Sequence, residues 1–170
     1  MKPDGVMKCV EIGSFEGKGS NLIHTRLCEN KDSVLYCIDP FDDEYVKGSS
    51  VMAFWNKACD GQYSKFKHNT ANNSKIIELR GYSDDMIPTL EDDSIDFCYI
   101  DGDHSPEQVY KDIMNIYKKM KNNSIVLFDD YLWVHKTTVT KEGIDKFLNE
   151  YKGKYELLFS NYQLSIRIKK

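Results

Sequence analysis

The chain has 170 residues, a formal net charge of −4, 41% hydrophobic residues and 29% charged residues, the balance of one ordinary globular domain. Lysine and arginine are scattered, no leader-like segment precedes the first apolar run, and no apolar run approaches roughly 18 residues, so nucleic-acid and membrane partners are not expected. The five cysteines show no C-x-x-C spacing, and we expect them to be buried in a protein of the reducing cytoplasm.

The first predicted strand covers Lys8 to Ile12 and leads into a loop with three glycines, Gly13, Gly17 and Gly19. A helix is expected over Asn21 to Leu27, so the loop is a strand-to-helix turn. Such turns are where α/β folds bind nucleotides. Glycine lets a ligand approach the backbone, and the free amides of the helix N-terminus favour an electron-rich partner.

The glycine spacing argues against ligands that are held mainly by their phosphates. A P-loop needs four residues between its first glycine and Gly-Lys, whereas Gly13 and Gly17 enclose only three. Gly19 also follows Lys18, where Ser or Thr belongs. The dinucleotide pattern G-x-G-x-x-G fails as well, because Leu22 stands in place of its third glycine. An NAD-dependent oxidoreductase is therefore a distant alternative.

The rest of the chain alternates strands with helices. Further strands are predicted over Val34 to Asp39, Ile76 to Arg80, Ile95 to Ile100 and Ser124 to Phe128, and helices over about Val51 to Cys59, after Gly81, from Ser105-Pro106 to before Asn122, and over about Lys141 to Tyr151. Two last strands, Tyr155 to Phe159 and Tyr162 to Ile168, are joined so briefly that they must pair antiparallel. The predicted fold class is α/β: a Rossmann-like seven-stranded, mostly parallel sheet with an antiparallel C-terminal edge hairpin and helices on both faces.

Acidic residues follow most of these strands: Glu11, Asp39, Asp101 with Asp103, and Asp129 with Asp130. The carboxyl ends of parallel strands form the binding edge of such a sheet. Turn and cap preferences explain one or two of these acids, but less easily all of them at one edge. Asp39 is placed to accept hydrogen bonds from a ribose, and Ser83 and Asp84 offer polar contacts to an adenine.

Three of the acids predict a cation site. The fourth and fifth strands should be neighbours, which would bring Asp101, Asp129 and Asp130 within a few ångströms of one another. Carboxylates so close repel one another unless a cation lies between them, and without it at least one should have a raised pKa. Hard oxygen ligands describe a Mg2+ site, with Mn2+ or Ca2+ as alternatives.

Five segments of the chain come in the order seen in one enzyme family: Glu11 to Gly17, Ile38 to Pro40, Gly81 to Pro88, Tyr99 to His104 and Phe128 to Tyr131. With them the chain resembles the class I S-adenosylmethionine-dependent methyltransferases, most of all the branch of metal-dependent small-molecule and sugar O-methyltransferases (methyltransferase 24-like). The resemblance implies one methyltransferase domain over residues 1–170. No N-terminal cap region is expected, since the first strand begins near residue 8.

The resemblance also implies roles for individual residues. Those expected to bind S-adenosylmethionine, with Glu11 near its amino group, are Glu11, Gly13, Ser14, Phe15, Gly17, Ser20, Asp39, Pro40, Tyr82, Ser83, Asp84 and Asp101. Asp101, Asp129 and Asp130 match the metal ligands of catechol-type relatives. His104 matches the position of their lysine base, and sugar-directed relatives use an Asp instead, so the catalytic candidates are Asp101, Asp103 and His104.

Three functions remain compatible with the sequence. The first is a Mg2+-dependent O-methyltransferase that acts on a small hydroxylated molecule such as a sugar, phenol or nucleoside. The second is a metal-independent methyltransferase with Asp103 or His104 as its sole base, and the third is a non-catalytic nucleotide-binding partner module. The acceptor site is expected to be open, covered by the segment from Phe41 to Asn73, or covered by a second subunit of a homo-oligomer.

Overall fold

The computed structural model describes residues 5–41, 61–71 and 73–170. Its strands are β1 (Lys8–Ile12), β2 (Val34–Asp39), β3 (Ile76–Arg80), β4 (Ile95–Ile100), β5 (Met120–Phe128), β6 (Val134–His135), β7 (Thr138–Val139), β8 (Tyr155–Ser160) and β9 (Leu164–Ile168). Its helices are α1 (Lys18–Leu27), α2 (Gln62–Thr70), α3 (Ser83–Met86), α4 (Pro106–Lys119) and α5 (Thr140–Glu150), and a 3-10 turn covers Ile87–Thr89.

Seven of these strands form one sheet in the order β3-β2-β1-β4-β5-β9-β8, and β6 pairs only with β7. The first five strands of the sheet are parallel, β9 is antiparallel to β5, and β8 is antiparallel to β9. This confirms the predicted α/β class and the C-terminal hairpin at the sheet edge. The antiparallel strand β9 lies one position inside that edge, because β9 pairs with both β5 and β8.

Helices cover both faces of the sheet, and alternate side chains of β1, β2 and β4 belong to different hydrophobic clusters. Val10 belongs to a larger cluster that includes Ile113 of α4 and Phe147 of α5. Its neighbour Cys9 belongs to a smaller cluster with Phe66 of α2. Period-two alternation in β1 therefore sets which helices lie on which face.

Most predicted boundaries are confirmed, and two differ for local reasons. α1 begins at Lys18 instead of Asn21, because Gly17 takes a left-handed conformation directly before it. β5 begins at Met120 instead of Ser124, because Met120 already pairs with Ile95 before the register shifts. The predicted helix from about Val51 to Cys59 lies outside the described residues.

The hydrogen-bond ladder continues beyond the ends of the strands. The amide of Gly13 donates to Ile38 O at 2.9 Å, and the amide of Asp101 donates to Ile12 O at 2.8 Å. The amide of Asp129 likewise donates to the last residue of β4 at 2.9 Å. The residues that follow β1, β4 and β5 are thus held side by side at one edge of the sheet, as the sequence predicts.

Two further expectations concern the cysteines and membranes. Cys9, Cys28, Cys37 and Cys98 are buried free thiols, as predicted, and the fifth, Cys59, lies outside the described residues. Within residues 5–41, 61–71 and 73–170, every helix is too short or too polar to cross a membrane.

Candidate active site

The loop after β1 passes so close to the loop after β4 that glycine is required at its first position. Gly13 has a left-handed backbone with φ of 86°. A Cβ at this position would collide with the carbonyl group of Asp101 and lie 2.7 Å from the Cα of Gly102. The close approach of these loops places the end of β1 directly beside the end of β4.

Glu11 is a buried carboxylate near the end of β1. Its Oε2 accepts a hydrogen bond from Ser20 Oγ of α1 and lies 3.6 Å from Cys37 Sγ of β2. Burial raises the pKa of Glu11, and the hydrogen bond from Ser20 offsets part of that rise. Because these neighbours are neutral hydroxyl and thiol groups, a cationic ligand group would stabilise the ionised carboxylate.

Ser14 adds an unsatisfied donor to the same place. The residue is 3% exposed, and its Oγ makes no hydrogen bond of ordinary geometry among the described residues, although it lies close enough to Glu11 to lower the pKa of that carboxyl group. A buried orphan hydroxyl points to a ligand that supplies the missing partner. Glu11 and Ser14, beside the glycine loop, therefore fit the amino-acid end of S-adenosylmethionine, which carries both an ammonium and a carboxylate.

Asp39 ends β2 and fixes the loops on either side of it. Its Oδ2 accepts from the amide of Phe15 at 2.9 Å, and its Oδ1 accepts from the amide of Phe41 at 2.7 Å and from Gln62 Nε2 at 3.2 Å. Burial raises the pKa of Asp39, whereas the donors lower it. The predicted ribose contact would use acceptor capacity that these three donors leave over.

The residues predicted to lie along the adenine differ in their surroundings. Ser83 Oγ donates to Asp112 Oδ1 of α4 at 2.6 Å, and Asp84 Oδ1 accepts from Gln108 Nε2 of α4 at 3.4 Å. Tyr82 is 47% exposed, and Pro40 is half-buried. The adenine contacts stay a prediction, in which Tyr82 and Pro40 offer accessible side chains and Ser83 is already engaged with α4.

Asp112 is a buried carboxylate inside α4 and is 1% exposed. Its pKa is raised to about 6, because the effect of burial exceeds the opposing effect of the hydrogen bonds from Ser83 and Gln108. Gln108 Nε2 lies 3.0 Å from Asp112 Oδ1. This network ties the segment after β3 to α4, behind the predicted adenine position.

The ends of β4 and β5 bring acidic side chains together. The Tyr99 hydroxyl donates to Asp129 Oδ2 and lies 3.3 Å from Asp101 Oδ2. Burial raises the pKa of Asp101 to about 7, with further contributions from the negative charges of Asp129 and Asp130. A bound cation would relieve this repulsion.

The two acids after β5 diverge from one another. Asp129 Oδ1 accepts from Gln163 Nε2 and from the amide of Asp130, both at 2.9 Å. Asp130 has a left-handed backbone with φ of 51°, and its Oδ2 lies 3.5 Å from His104 Nδ1. Ligand atoms of Asp101, His104 and Asp130 all lie within 4.8 Å of one another. The structure thus groups His104, instead of Asp129, with two of the three predicted metal ligands.

Asp103, the other predicted base, lies on the same loop between β4 and α4. It is exposed, and its Oδ1 accepts a hydrogen bond from the amide of Ser105 at 2.6 Å. His104 therefore lies in the acidic group itself, whereas Asp103 is its neighbour in the chain, with a carboxylate that is open to solvent and bonded to the start of α4.

Two residues that no sequence motif singles out, Tyr162 and Gln163, reach the site from the turn between β8 and β9. A hydrogen bond to Asp130 raises the pKa of Tyr162 to about 12. Leu164 pairs with Phe128, so the residues before Leu164 lie beside those after Phe128. The antiparallel register of β9 is the signal that could have located them.

Aromatic side chains border the acidic group. The ring of Trp133 lies 4.8 Å from the ring of His104 and 5.8 Å from that of His135, measured between centroids. Tyr131 is buried, and its hydroxyl hydrogen-bonds to Asp145 at 2.8 Å. Trp133 and His135 therefore lie beside His104 at the edge of the acidic group, and their place in an acceptor site stays a prediction.

Comparison with known proteins adds independent findings. A family model described as a methyltransferase domain matches residues 10–131. An uncharacterized protein, R132 of Acanthamoeba polyphaga mimivirus, is 29% identical over 130 residues, which are 72% of this chain and 50% of that protein. The chain thus spans about half the length of the curated relative that it matches.

Solved structures share the fold at low sequence identity. The O-methyltransferase NovP superposes with a TM-score of 0.71 at 20% identity, over 98% of this chain and 72% of that chain. A chain of a fibrillarin/Nop5p complex gives a TM-score of 0.65 at 13% identity, over 100% of this chain and 75% of that chain. These likenesses concern the fold alone.

Proposed function

Because this chain belongs to the methyltransferase-domain family, we propose that it is an S-adenosylmethionine-dependent O-methyltransferase that uses a divalent cation to methylate a hydroxyl group of a small molecule. The observation that carries the proposal is the buried Glu11 carboxylate, with the Ser14 hydroxyl beside it and without a partner of ordinary geometry. The acidic group after β4 and β5 lies at the same sheet edge, where an acceptor can meet the donor.

The donor half of the site would bind by charge and by hydrogen bonds. Glu11 would accept hydrogen bonds from the ammonium group of the donor, and Ser14 would donate to its carboxylate. Asp39 would accept from the ribose, next to the loop that it already holds through Phe15. When bound, S-adenosylmethionine supplies an electrophilic methyl group on a sulfonium, which passes to the acceptor oxygen as the thioether leaves.

The acceptor half would orient a hydroxyl and receive its proton. Asp101 and Asp130 would hold a divalent cation, with Asp129 or His104 as a further ligand. Such a cation lowers the pKa of a hydroxyl group bound to it. Asp103 or His104 would take the proton from that hydroxyl, since both lie on the loop that borders the acidic group.

Donor binding is the first test of the proposal. Isothermal titration with S-adenosylmethionine should show binding to the wild-type chain, and Glu11→Gln should weaken it at least about tenfold, since a charge-assisted hydrogen bond contributes about 1.5–3 kcal/mol. Glu16→Gln is the matched control, because Glu16 lies on the same loop but pairs with Lys65 at the surface, at 2.8 Å. Absence of donor binding by the wild type would refute the proposed function.

Turnover separates the alternatives. A panel of sugars, phenols and nucleosides should yield a methylated product whose formation stops with EDTA and resumes with added divalent cation. Turnover that is insensitive to EDTA would favour the metal-independent methyltransferase. Donor binding without turnover on any acceptor would favour a non-catalytic module.

A further inference from the structure

We propose that the cation of this site is a first-row transition-metal dication, bound in preference to Mg2+ by two carboxylates and one imidazole: Asp101, Asp130 and His104. The inference rests on the proposed function only in taking a cation to belong to the acceptor half of the site. It departs from the all-carboxylate set that the sequence predicts, by exchanging Asp129 for His104.

Geometry favours His104 as the third ligand. Ligand atoms of Asp101, His104 and Asp130 lie within 4.8 Å of one another. His104 Nδ1 and Asp130 Oδ2 are 3.5 Å apart, which is long for a hydrogen bond. Two ligands of one ion, each about 2.1 Å from it, lie roughly 3.0–3.5 Å apart. His104 and Asp130 therefore have the spacing of two ligands of one ion, and any ligand atom of the group that lies beyond about 4.2 Å from another would move closer when the ion binds.

Asp129 accepts more hydrogen bonds than the other two acids, since Tyr162 hydrogen-bonds to Asp130 and the Tyr99 hydroxyl lies 3.3 Å from Asp101 Oδ2. Its Oδ2 accepts from the Tyr99 hydroxyl, and its Oδ1 accepts from Gln163 Nε2 and the amide of Asp130. These three donors come from β4, from the turn before β9 and from the backbone. Its carboxylate would have to give up some of these bonds to turn towards the ion. Asp129 is thus a positioning residue that holds the loop after β5.

The surroundings of His104 suit a fixed ligand. Its ring packs against Trp133, with 4.8 Å between centroids, and its carbonyl oxygen accepts from Thr140 Oγ1 at 3.2 Å. The side chains of His104 and Asp130 are 31% and 19% exposed. The backbone and ring of His104 are therefore anchored, while the ion would keep open positions for water or for acceptor oxygens.

The nature of the ligand atoms then selects the metal. Imidazole nitrogen favours transition-metal dications, whereas Mg2+ prefers an all-oxygen shell. An Asp101–His104–Asp130 set therefore favours Mn2+, Fe2+, Co2+ or Zn2+. A ligating His104 is not free to accept the acceptor's proton, so the base is assigned to Asp103.

Metal binding can be measured without any methyl transfer. Pulsed EPR of Mn2+ bound to the full chain should show coupling to an imidazole nitrogen, and His104→Ala should remove that coupling. Titration with Co2+ should show affinity at least about tenfold lower in His104→Ala than in the wild type, since even outer-shell partners of a metal contribute about 10- to 100-fold. His68→Ala is the matched control, because His68 is an exposed imidazole of α2.

Two further variants test whether His104 or Asp129 is the third ligand. His104→Asp restores an all-oxygen set and should lower the ratio of Co2+ to Mg2+ affinity, while Asp129→Asn should change Co2+ affinity less than about threefold. The inference would be overturned if Mn2+ bound to the wild-type chain showed no coupling to nitrogen. It would also be overturned if Asp129→Asn lowered Co2+ affinity as much as His104→Ala does. Titration of the same samples with S-adenosylmethionine separates this failure from that of the proposed function.

Discussion

Replacing Gly13 by alanine tests how tightly the ends of β1 and β4 meet. The new Cβ would collide with the carbonyl group of Asp101 and lie 2.7 Å from Gly102 Cα, and φ would have to stay near 86°. The left-handed backbone costs an L-residue about 1–2 kcal/mol, and overpacking costs about 1–3 kcal/mol more. We expect Gly13→Ala to lower the free energy of unfolding by about 2–5 kcal/mol, and to weaken donor binding by moving the loop.

Gly153→Ala separates the cost of the left-handed backbone from the cost of the steric collision. Gly153 has φ of 88°, and a Cβ there would meet nothing within 4 Å, so only the backbone term of about 1–2 kcal/mol applies. Urea unfolding of the wild type and both variants, followed by circular dichroism, gives the difference directly. Equal losses in the two variants would show that the loops after β1 and β4 do not meet as described.

Three other substitutions test buried groups. Burial raises the pKa of Glu11, so the folded state favours its protonated form and its contribution to stability is lost as pH rises above about 4.3, the ordinary value for glutamate; in Glu11→Gln, urea unfolding between pH 4 and 8 should show a smaller fall than in the wild type, and an unchanged pH profile would contradict the burial of the charge. The raised pKa of Asp112, about 6, likewise predicts that Asp112 contributes a fall in stability of at most about 3 kcal/mol between about pH 4 and 6, and that Asp112→Asn removes this contribution; a fall in the variant equal to that of the wild type, or steeper, would contradict it. Tyr99→Phe removes the donor to Asp129 and should cost about 1.5–3 kcal/mol of unfolding free energy, whereas a neutral effect in the same urea assay would show that this hydrogen bond is not formed.

Local patterns along the chain are enough to predict the order of the elements. β1, β2 and β4 are apolar runs that each end at or near an acid or glycine, and the Ser105-Pro106 start of α4 is a strong local signal. The Ser105 side chain accepts from the amide of Gln108, which confirms the predicted cap. Each of these features is decided by residues that lie within a few positions of one another, so the sequence alone is enough to predict it.

The candidate site is less predictable, because its contacts come from distant parts of the chain. Asp129 and Asp130 look equivalent in sequence, yet a left-handed backbone at Asp130 accompanies their separation towards different partners. Gln163 reaches Asp129 through the register of β9, and Asp112 of α4 accepts a hydrogen bond from Ser83, the first residue of α3. Helical periodicity places Asp112 on the same face as Val109 and Ile116, but the partners of its carboxylate, Ser83 and Gln108, become visible only in the structure.

The inside position of β9 has a consequence for the order in which the protein is made. Gln163 anchors Asp129 from a turn that is synthesised 34 residues later, and the hydrophobic cluster that contains Val10 of β1 also contains Ile166 and Ile168 of β9. A nascent chain therefore cannot complete this core, or hold Asp129 through Gln163, until its last strand has been made. A truncated chain restricted to residues 10–131, the segment that matches the family model, would keep Asp101, Asp129 and Asp130 but lose the strand that holds one of them in place.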